Sequence, residues 1–179
     1  MVKHKTAIQP GGSDSIVRAT RPAELSAISA LHAEAFGPGR FARTAYRLRE
    51  GTKNCSAHCR ASWRGDLLTG AVTLTEVTVG RAPTSHWLLG PLAVRPGDTN
   101  KGLGRRLVGE ALQSVAEADE AATVLLVGDL DYYGQLGFEA VPARRITLPG
   151  PVDPTRLLIW RGPDGSRALP SGAVRAHMG

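Results

Sequence analysis

The sequence predicts a mixed α/β fold in which a central, mostly antiparallel sheet of about six or seven strands is flanked by helices. Three observations predict it. Residues 55–79 read as two strands around the turn signal Gly65-Asp66. Residues 86–127 read as strand, amphipathic helix, strand, which is most naturally a right-handed parallel crossover. After Phe138 the chain returns to short strand-like runs separated by Pro and Gly.

Each element has its own reason. Ile16 to Ala19 makes a short first strand. Thr20 is placed to cap a helix whose first turn holds Pro22 and Glu24, with Leu25, Ile28 and Leu31 at helical spacing. Gly37-Pro38-Gly39 ends it, and a second helix is expected from about Phe41 to Glu50. Cys55, Ala57, Cys59, Ala61 and Trp63 alternate with Ser56, His58, Arg60 and Ser62, predicting a strand with both thiols on its apolar face. Leu67 to Val79 is a long strand rich in Val, Thr and Leu, and pairs with it as a hairpin. His86 to Val94 is another strand, in which Gly90-Pro91 predicts a bulge or a local parting of strands, because proline donates nothing to a ladder. Leu103, Leu107, Ala111 and Val115 recur every fourth residue, giving a helix over Leu103–Ala118. Thr123–Val127 is a short buried strand, Asp131–Leu136 one or two helical turns stopped by Gly137, and strands follow near Arg144–Leu148 and over Arg156–Trp160.

The chain has 179 residues, which suits one domain with its own core. Residues 15–162 are assigned to that domain, 1–14 to a disordered N-terminal segment and 163–179 to a loosely packed C-terminal tail. Polar residues follow Met1-Val2-Lys3-His4-Lys5 and no long apolar span occurs, so neither a secretory signal nor a membrane helix is expected and a cytoplasmic setting is. Lysine and arginine outnumber the acids 22 to 16, a net charge of +6 that attracts anions. The basic residues are scattered and form no run, which argues against nucleic acid as the partner. Cys55 and Cys59 flank His58 without further ligands at finger-like spacing, so no metal site is expected and the thiols read as small buried hydrophobes.

The most informative stretch is the apolar strand Leu88–Val94, the polar loop after it, and Lys101-Gly102-Leu103-Gly104-Arg105-Arg106-Leu107 at the start of a helix. A helix start after a Gly-x-Gly presents bare amides to a phosphate. Two other phosphate motifs fail on residues. Gly97 and Gly102 have P-loop spacing, but Leu103 and Gly104 stand where Lys and Ser/Thr are required. A dinucleotide fingerprint needs a third small residue at position 107, which is Leu.

The succession of Leu92-Ala93-Val94-Arg95-Pro96, a loop, Lys101-Gly102-Leu103-Gly104-Arg105-Arg106-Leu107, a helix, a strand and Tyr133-Gly134-Gln135-Leu136-Gly137-Phe138 resembles the GCN5-related N-acetyltransferase (GNAT) superfamily over about residues 16–160. It is similar to a bacterial subgroup of small predicted acetyltransferases in Leu89-Gly90-Pro91-Leu92-Ala93-Val94 and in Gly128-Asp129-Leu130-Asp131-Tyr132-Tyr133. The resemblance implies a GNAT-like fold splayed at the cofactor strand. It also implies transfer of an acetyl group from acetyl-CoA, without a metal, to a primary amine of a small molecule or protein. Thr99 departs from it, standing where the family usually has Gln or Arg.

On that resemblance the diphosphate of acetyl-CoA falls to Thr99, Asn100, Lys101, Gly102, Leu103, Gly104 and Arg105, with Lys101, Arg105 and Arg106 supplying the charge that Thr99 lacks. The pantetheine arm pairs with the backbone of Leu92, Ala93 and Val94, where Gly90-Pro91 parts the strands. Tyr133 holds the family's acid position, with Tyr132 the alternative one residue away. Glu76 is the candidate base and His86 a second one, while Asp129 reads as a loop or cap residue. The acceptor pocket is expected around Phe36–Tyr46 and Arg144–Pro154, with Arg40, Arg43 and Arg47 near one helical side. Acetylation of aminoacyl-tRNA and a non-catalytic acyl-CoA-binding regulator stay open as alternatives, as does a homodimer.

Overall fold

In the computed structural model, residues 15–38, 48, 55–81, 84–150 and 152–177 are described. Its organising element is a 13-residue strand, β3 (Leu67–Val79), whose side chains feed both faces of the sheet. Val72 and Leu74 belong to one core, while Ala71, Val77 and Val79 belong to cores on the opposite face, as a two-residue period requires. The edge of β3 that faces away from β4 (Ser85–Val94) is shared. β2 (Arg60–Arg64) covers its first half and β9 (Gly172–Ala176) its second, both antiparallel.

The main sheet path runs from β1 (Ile16–Ala19) through β2, β3, β4, β5 (Thr123–Val127) and β8 (Leu157–Arg161) to β6 (Glu139–Ala140). A two-residue β7 (Ile146–Thr147) joins β9. Neighbours on the main path pair antiparallel except β4 with β5, and β7–β9 is also parallel. The parallel pair is the expected crossover, carried by α2 (Leu103–Ala118). The nine-stranded sheet exceeds the expected number because two two-residue strands and β9 join it.

Helix α1 (Leu25–Phe36) and α2 lie on opposite faces. Ile28 and Leu31 of α1 share a core with Ala71 and Ala93. Leu107, Val108, Ala111 and Val115 of α2 are completely buried against Val72, Leu74, Leu89, Val124 and Leu126. Full burial of each larger side chain contributes about 1.5–3 kcal/mol, so the four-residue stripe read in the sequence is the main anchor of this face. α3 (Leu130–Tyr133) and a 3-10 turn (Gly134–Leu136) follow β5, as expected.

Three expectations are corrected. The strand expected over Cys55–Trp63 starts only at Arg60. Residues 57 and 58 form a turn in which the Cys59 amide donates to the Ser56 carbonyl at 3.2 Å, and burial there does not follow the alternation of residue types: Ala57 is exposed while His58 and Cys59 are both buried. Cys59 is buried and Cys55 half-buried, both as free thiols. Thr20 does not cap α1. Its hydroxyl is buried without a hydrogen-bond partner among the described residues, while the Glu24 carboxylate accepts the Arg21 amide at 2.8 Å and pairs with Arg18. The tail after residue 162, expected to be loosely packed, contributes β9, with Val174 buried in the core beside Val77 and Val79. Only partners far along the chain complete this strand, so its local composition carries little sign of it. The expected disordered segment 1–14 and second helix Phe41–Glu50 lie outside the described residues, except for Leu48, which is helical and buried.

Truncating Leu107, which is fully buried, tests this arrangement. Leu107→Ala should lower unfolding free energy by about 2–5 kcal/mol in urea titrations, whereas an anchor located elsewhere would leave the midpoint almost unmoved.

Candidate functional site

A gap in the sheet defines the site. β4 continues to Val94, yet it meets β5 only at Trp87↔Val124 and Leu88↔Leu125. From Leu89 onward its β5-facing edge has no strand partner among the described residues, while its other edge stays paired to β3 as far as Gly70↔Val94. The register of that pair shifts between Val72 and Leu74, setting Gly90-Pro91 opposite the single residue Thr73. Two residues against one is a bulge, and Pro91 brings no N–H to either side. The bulge predicted at Gly90-Pro91 is therefore present, next to the point where the strands part.

Along the unpaired end of β4 lies a cleft of about 570 Å³. Leu92, Ala93 and Val94 form one wall. Asp98, Thr99, Asn100, Gly102, Gly104 and Arg105 form its mouth, and Tyr132 with Ala35 and Phe36 completes it. Eight of the ten residues expected to hold the cofactor are thus brought together. The other two face elsewhere: Leu103 turns its side chain into the core, and Lys101 folds back on its own loop.

The mouth is a helix start of the kind that attracts negative charge. Asn100 and Gly102 have φ of 61° and 78°, left-handed conformations that reverse the chain just ahead of the helix. The first hydrogen bond of this turn runs from the Arg106 amide to the Gly102 carbonyl at 3.1 Å, so the amides of Leu103, Gly104 and Arg105 precede it. No side chain among the described residues caps this end, and its first turn contains no acid. Uncapped amides at the positive end of a 16-residue helix favour negative charge.

The three cations expected to compensate Thr99 differ in what they do. Lys101 Nζ donates to the Gly97 carbonyl at 2.7 Å and lies 3.4 Å from Asp98. Arg106 is engaged by Glu110 and by the Ser15 carbonyl. Arg105 alone of the three lines the cleft, its guanidinium 5.6 Å from the centre of the Tyr132 ring. Thr99 has its hydroxyl donating to the Pro96 carbonyl at 2.9 Å, so its one proton is already used.

The two tyrosines are separated by function of place. Tyr132 lines the cleft, and a Cβ added at Gly104 would sit 2.6 Å from its hydroxyl. A glycine at 104 is therefore what lets helix and ring close together. Tyr133 is not on the cleft wall. Its ring packs edgewise on Tyr132 and Phe138, and lies so close to Gly128 at the end of β5 that a side chain there would collide with it. Burial first, then Tyr132 and Asp129, push its hydroxyl up to about 12, against the opposing pull of Arg156. Burial also raises Tyr132, with Arg105 opposing.

The remaining candidates stand apart from the cleft wall. Glu76 lies opposite Trp87, where β4 is still paired to β5, and its carboxylate is 4.0 Å from His177. His86 is buried with Nδ1 2.5 Å from the Thr123 hydroxyl, and burial, aided by Arg167, lowers its pKa. Asp129 precedes α3 and pairs with Arg156 at 3.1 Å without capping the helix through its side chain. Arg40, Arg43 and Arg47 lie outside the described residues. Among the described residues no cluster of His, Cys, Asp or Glu could hold a metal ion, and no helix is long and apolar enough to cross a membrane.

Two residues of the site carry no local signal in the sequence. Asp98 is buried in the loop, and Arg64 of β2 grips both of its oxygens at 2.8 and 3.2 Å. Thirty-four positions separate them. Pro96-Gly97-Asp98 reads as an ordinary turn until β2 is laid beside it.

No family model matches the chain, and no curated protein matches it significantly. Solved structures do. A GNAT family N-acetyltransferase from Escherichia coli (YhbS), solved with CoA, is 26% identical over 93% of this chain and 91% of its own, with a TM-score of 0.76. A GNAT family acetyltransferase from Brucella melitensis, solved with acetyl-CoA, is 22% identical over 93% of this chain and 97% of its own, with a TM-score of 0.69. Naa50 from Arabidopsis thaliana, solved with the bisubstrate analogue CoA-Ac-MVNAL, is 15% identical over 81% and 97%, with a TM-score of 0.56. The last two share the fold.

Hydrogen bonds from Arg64 hold the Asp98 carboxyl below the usual carboxylate range. A depressed pKa stabilises the fold above the ordinary value near ~4, and that contribution is lost as pH falls through the folded-state value. Asp98→Asn should therefore be less stable than wild type at pH 7, and urea midpoints should show the gap narrowing as pH falls below about 4. A gap independent of pH would mean that the pair does not titrate with folding.

Proposed function

The chain belongs to the GNAT superfamily, and on that premise we propose that it is an acetyl-CoA-dependent N-acetyltransferase acting on a primary amine of a small molecule or protein. The observation that carries the reading is the pairing of a parted sheet with an uncapped helix start at the mouth of the same cleft. An extended, amide-rich arm can pair with the free edge of Leu92–Val94 while its diphosphate meets the amides of Leu103, Gly104 and Arg105. In solved form, the Escherichia coli relative carries CoA and the Brucella melitensis relative acetyl-CoA.

Acetyl transfer then needs three services. The amine must be neutral to attack, since a free alkyl ammonium keeps its proton to a pKa near ~10. The developing oxyanion needs a donor, and an amide on the free edge of β4 can supply it. The leaving thiolate gains from a proton, since an unperturbed thiol titrates at about 8.5. Tyr133 is our donor: its raised pKa keeps the hydroxyl protonated at neutral pH, and it stands at the end of β5 beside Gly128. Tyr132 serves as the wall that positions the arm against Gly104. Glu76 is our base, acting through water, because its half-exposed carboxylate is off the cleft wall.

Attack is direct in this reading. Neither Cys55 nor Cys59 lines the cleft, and burial raises the Cys55 thiol further from the reactive thiolate. The amine acceptor belongs beyond the thioester end of the cleft, toward Phe36, which is the one residue of the expected acceptor regions on the wall among the described residues.

Acetyl-CoA at about a hundred times its dissociation constant should stabilise the protein by about 2.7 kcal/mol, seen as a raised melting temperature that ATP or NAD does not reproduce. A response to NAD or ATP alone would end the reading. Once an amine is found by thiol-release screening, Tyr133→Phe should lower kcat by about 10²–10⁴-fold, while Tyr132→Phe should act mainly on KM. Unchanged turnover in Tyr133→Phe would remove it as the acid, and a protein that binds acetyl-CoA but turns over no amine would be a regulator.

A further inference from the structure

We infer that Asp98 and Arg64 are a positioning pair that sets the shape of the phosphate loop before any ligand arrives, and that Arg64 is required to cancel the carboxylate that this device places beside the bound anion. The inference rests on the acetyl-CoA reading, because the anion concerned is the cosubstrate's diphosphate.

The geometry is unusual for an anion site. A carboxylate stands on the wall of the cleft, among the residues that would meet the phosphates. Asp98 is only 3% exposed, although Pro96, Gly97, Thr99, Asn100 and Lys101 around it are exposed. Such a charge would repel a diphosphate unless neutralised on the spot. Arg64 does so with both oxygens bound, the fork geometry that also fixes orientation, and the exposed Lys101 adds a single, longer contact of 3.4 Å to one of them.

The rest of the loop is locked by its own groups. Thr99 donates to Pro96 O, Lys101 donates to Gly97 O, and the Asp98 amide donates to Arg95 O at 2.8 Å. Thr99, which replaces the Gln or Arg that the family resemblance leads one to expect, is thus a brace of the loop and has no proton left for a phosphate. A loop already ordered costs less entropy to bind. The trade is a loss of side-chain contact to the anion in exchange for amides held in place.

The test is the dissociation constant for acetyl-CoA, measured by calorimetry at low ionic strength on the full chain, with the melting temperature of every variant. Arg64→Ala should weaken binding by about tenfold or more, because it both loosens the loop and exposes the Asp98 charge. The double variant R64A/D98N should recover much of that loss, and added salt should narrow the gap between Arg64→Ala and wild type. Arg64→Lys should lose a few-fold, since an ammonium keeps the charge without the fork. A purely structural pair would lower melting temperature in all of these without the charge-dependent rescue. Arg64→Ala binding within about twofold of wild type, or a double variant no tighter than the single one, overturns the inference. If Arg64→Ala does not fold, Arg64→Gln against R64Q/D98N carries the same comparison. Wild-type protein that fails to bind acetyl-CoA strikes at the acetyltransferase reading itself, and this inference falls with it.

Discussion

Everything functional in this molecule depends on two strands failing to pair. β4 and β5 share two residue pairs and then separate, although β4 continues through Val94 and β5 through Val127. Unpaired backbone in a protein interior is costly, so such an opening persists only where something else accepts its hydrogen bonds. The separation begins where Gly90-Pro91 takes the place of one residue on the β3 side. The same local chemistry therefore creates a free edge and removes a donor from it. An extended ligand rich in amides can take up the hydrogen bonds of that edge.

The opening would collapse without rigid walls. α2 is held to the sheet by a buried stripe from Leu103 to Val115, which fixes the helix start at the mouth. The sheet beyond is tied by β5–β8 pairing along all of β5 and by β9 on the far half of β3. The site is thus a small irregularity supported by a large regular structure, and its amides gain directional precision from that support.

Charge is spent sparingly within the site. The chain carries a net charge of +6, yet of Lys101, Arg105 and Arg106 only Arg105 faces the cleft. The other two fasten backbone and carboxylates. Asp98 adds a negative charge at a place where positive charge is useful, and Arg64 offsets it with a smaller share from Lys101. Positive potential at the mouth then comes from Arg105 together with main-chain dipoles, and the dipoles lose no side-chain entropy when a ligand binds.

What the sequence determined by itself is the repeating and the contiguous. α2 was legible to its end residues because a four-residue stripe is a property of the segment alone. β3, β5, the helix-start loop and the irregularity at Gly90-Pro91 were legible for the same reason. The false strand start at Cys55 shows the limit of that logic, since residue types can alternate through a turn whose burial does not: Ala57 is exposed and the adjacent His58 and Cys59 are both buried. Only the tertiary structure decided which edge of β4 stays bare, that the tail returns as β9, that Tyr132 and not Tyr133 walls the cleft, and that Arg64 reaches Asp98. Each of these is a meeting of segments distant along the chain, and such meetings are chosen by packing of the whole core, for which no short window of residues carries the information.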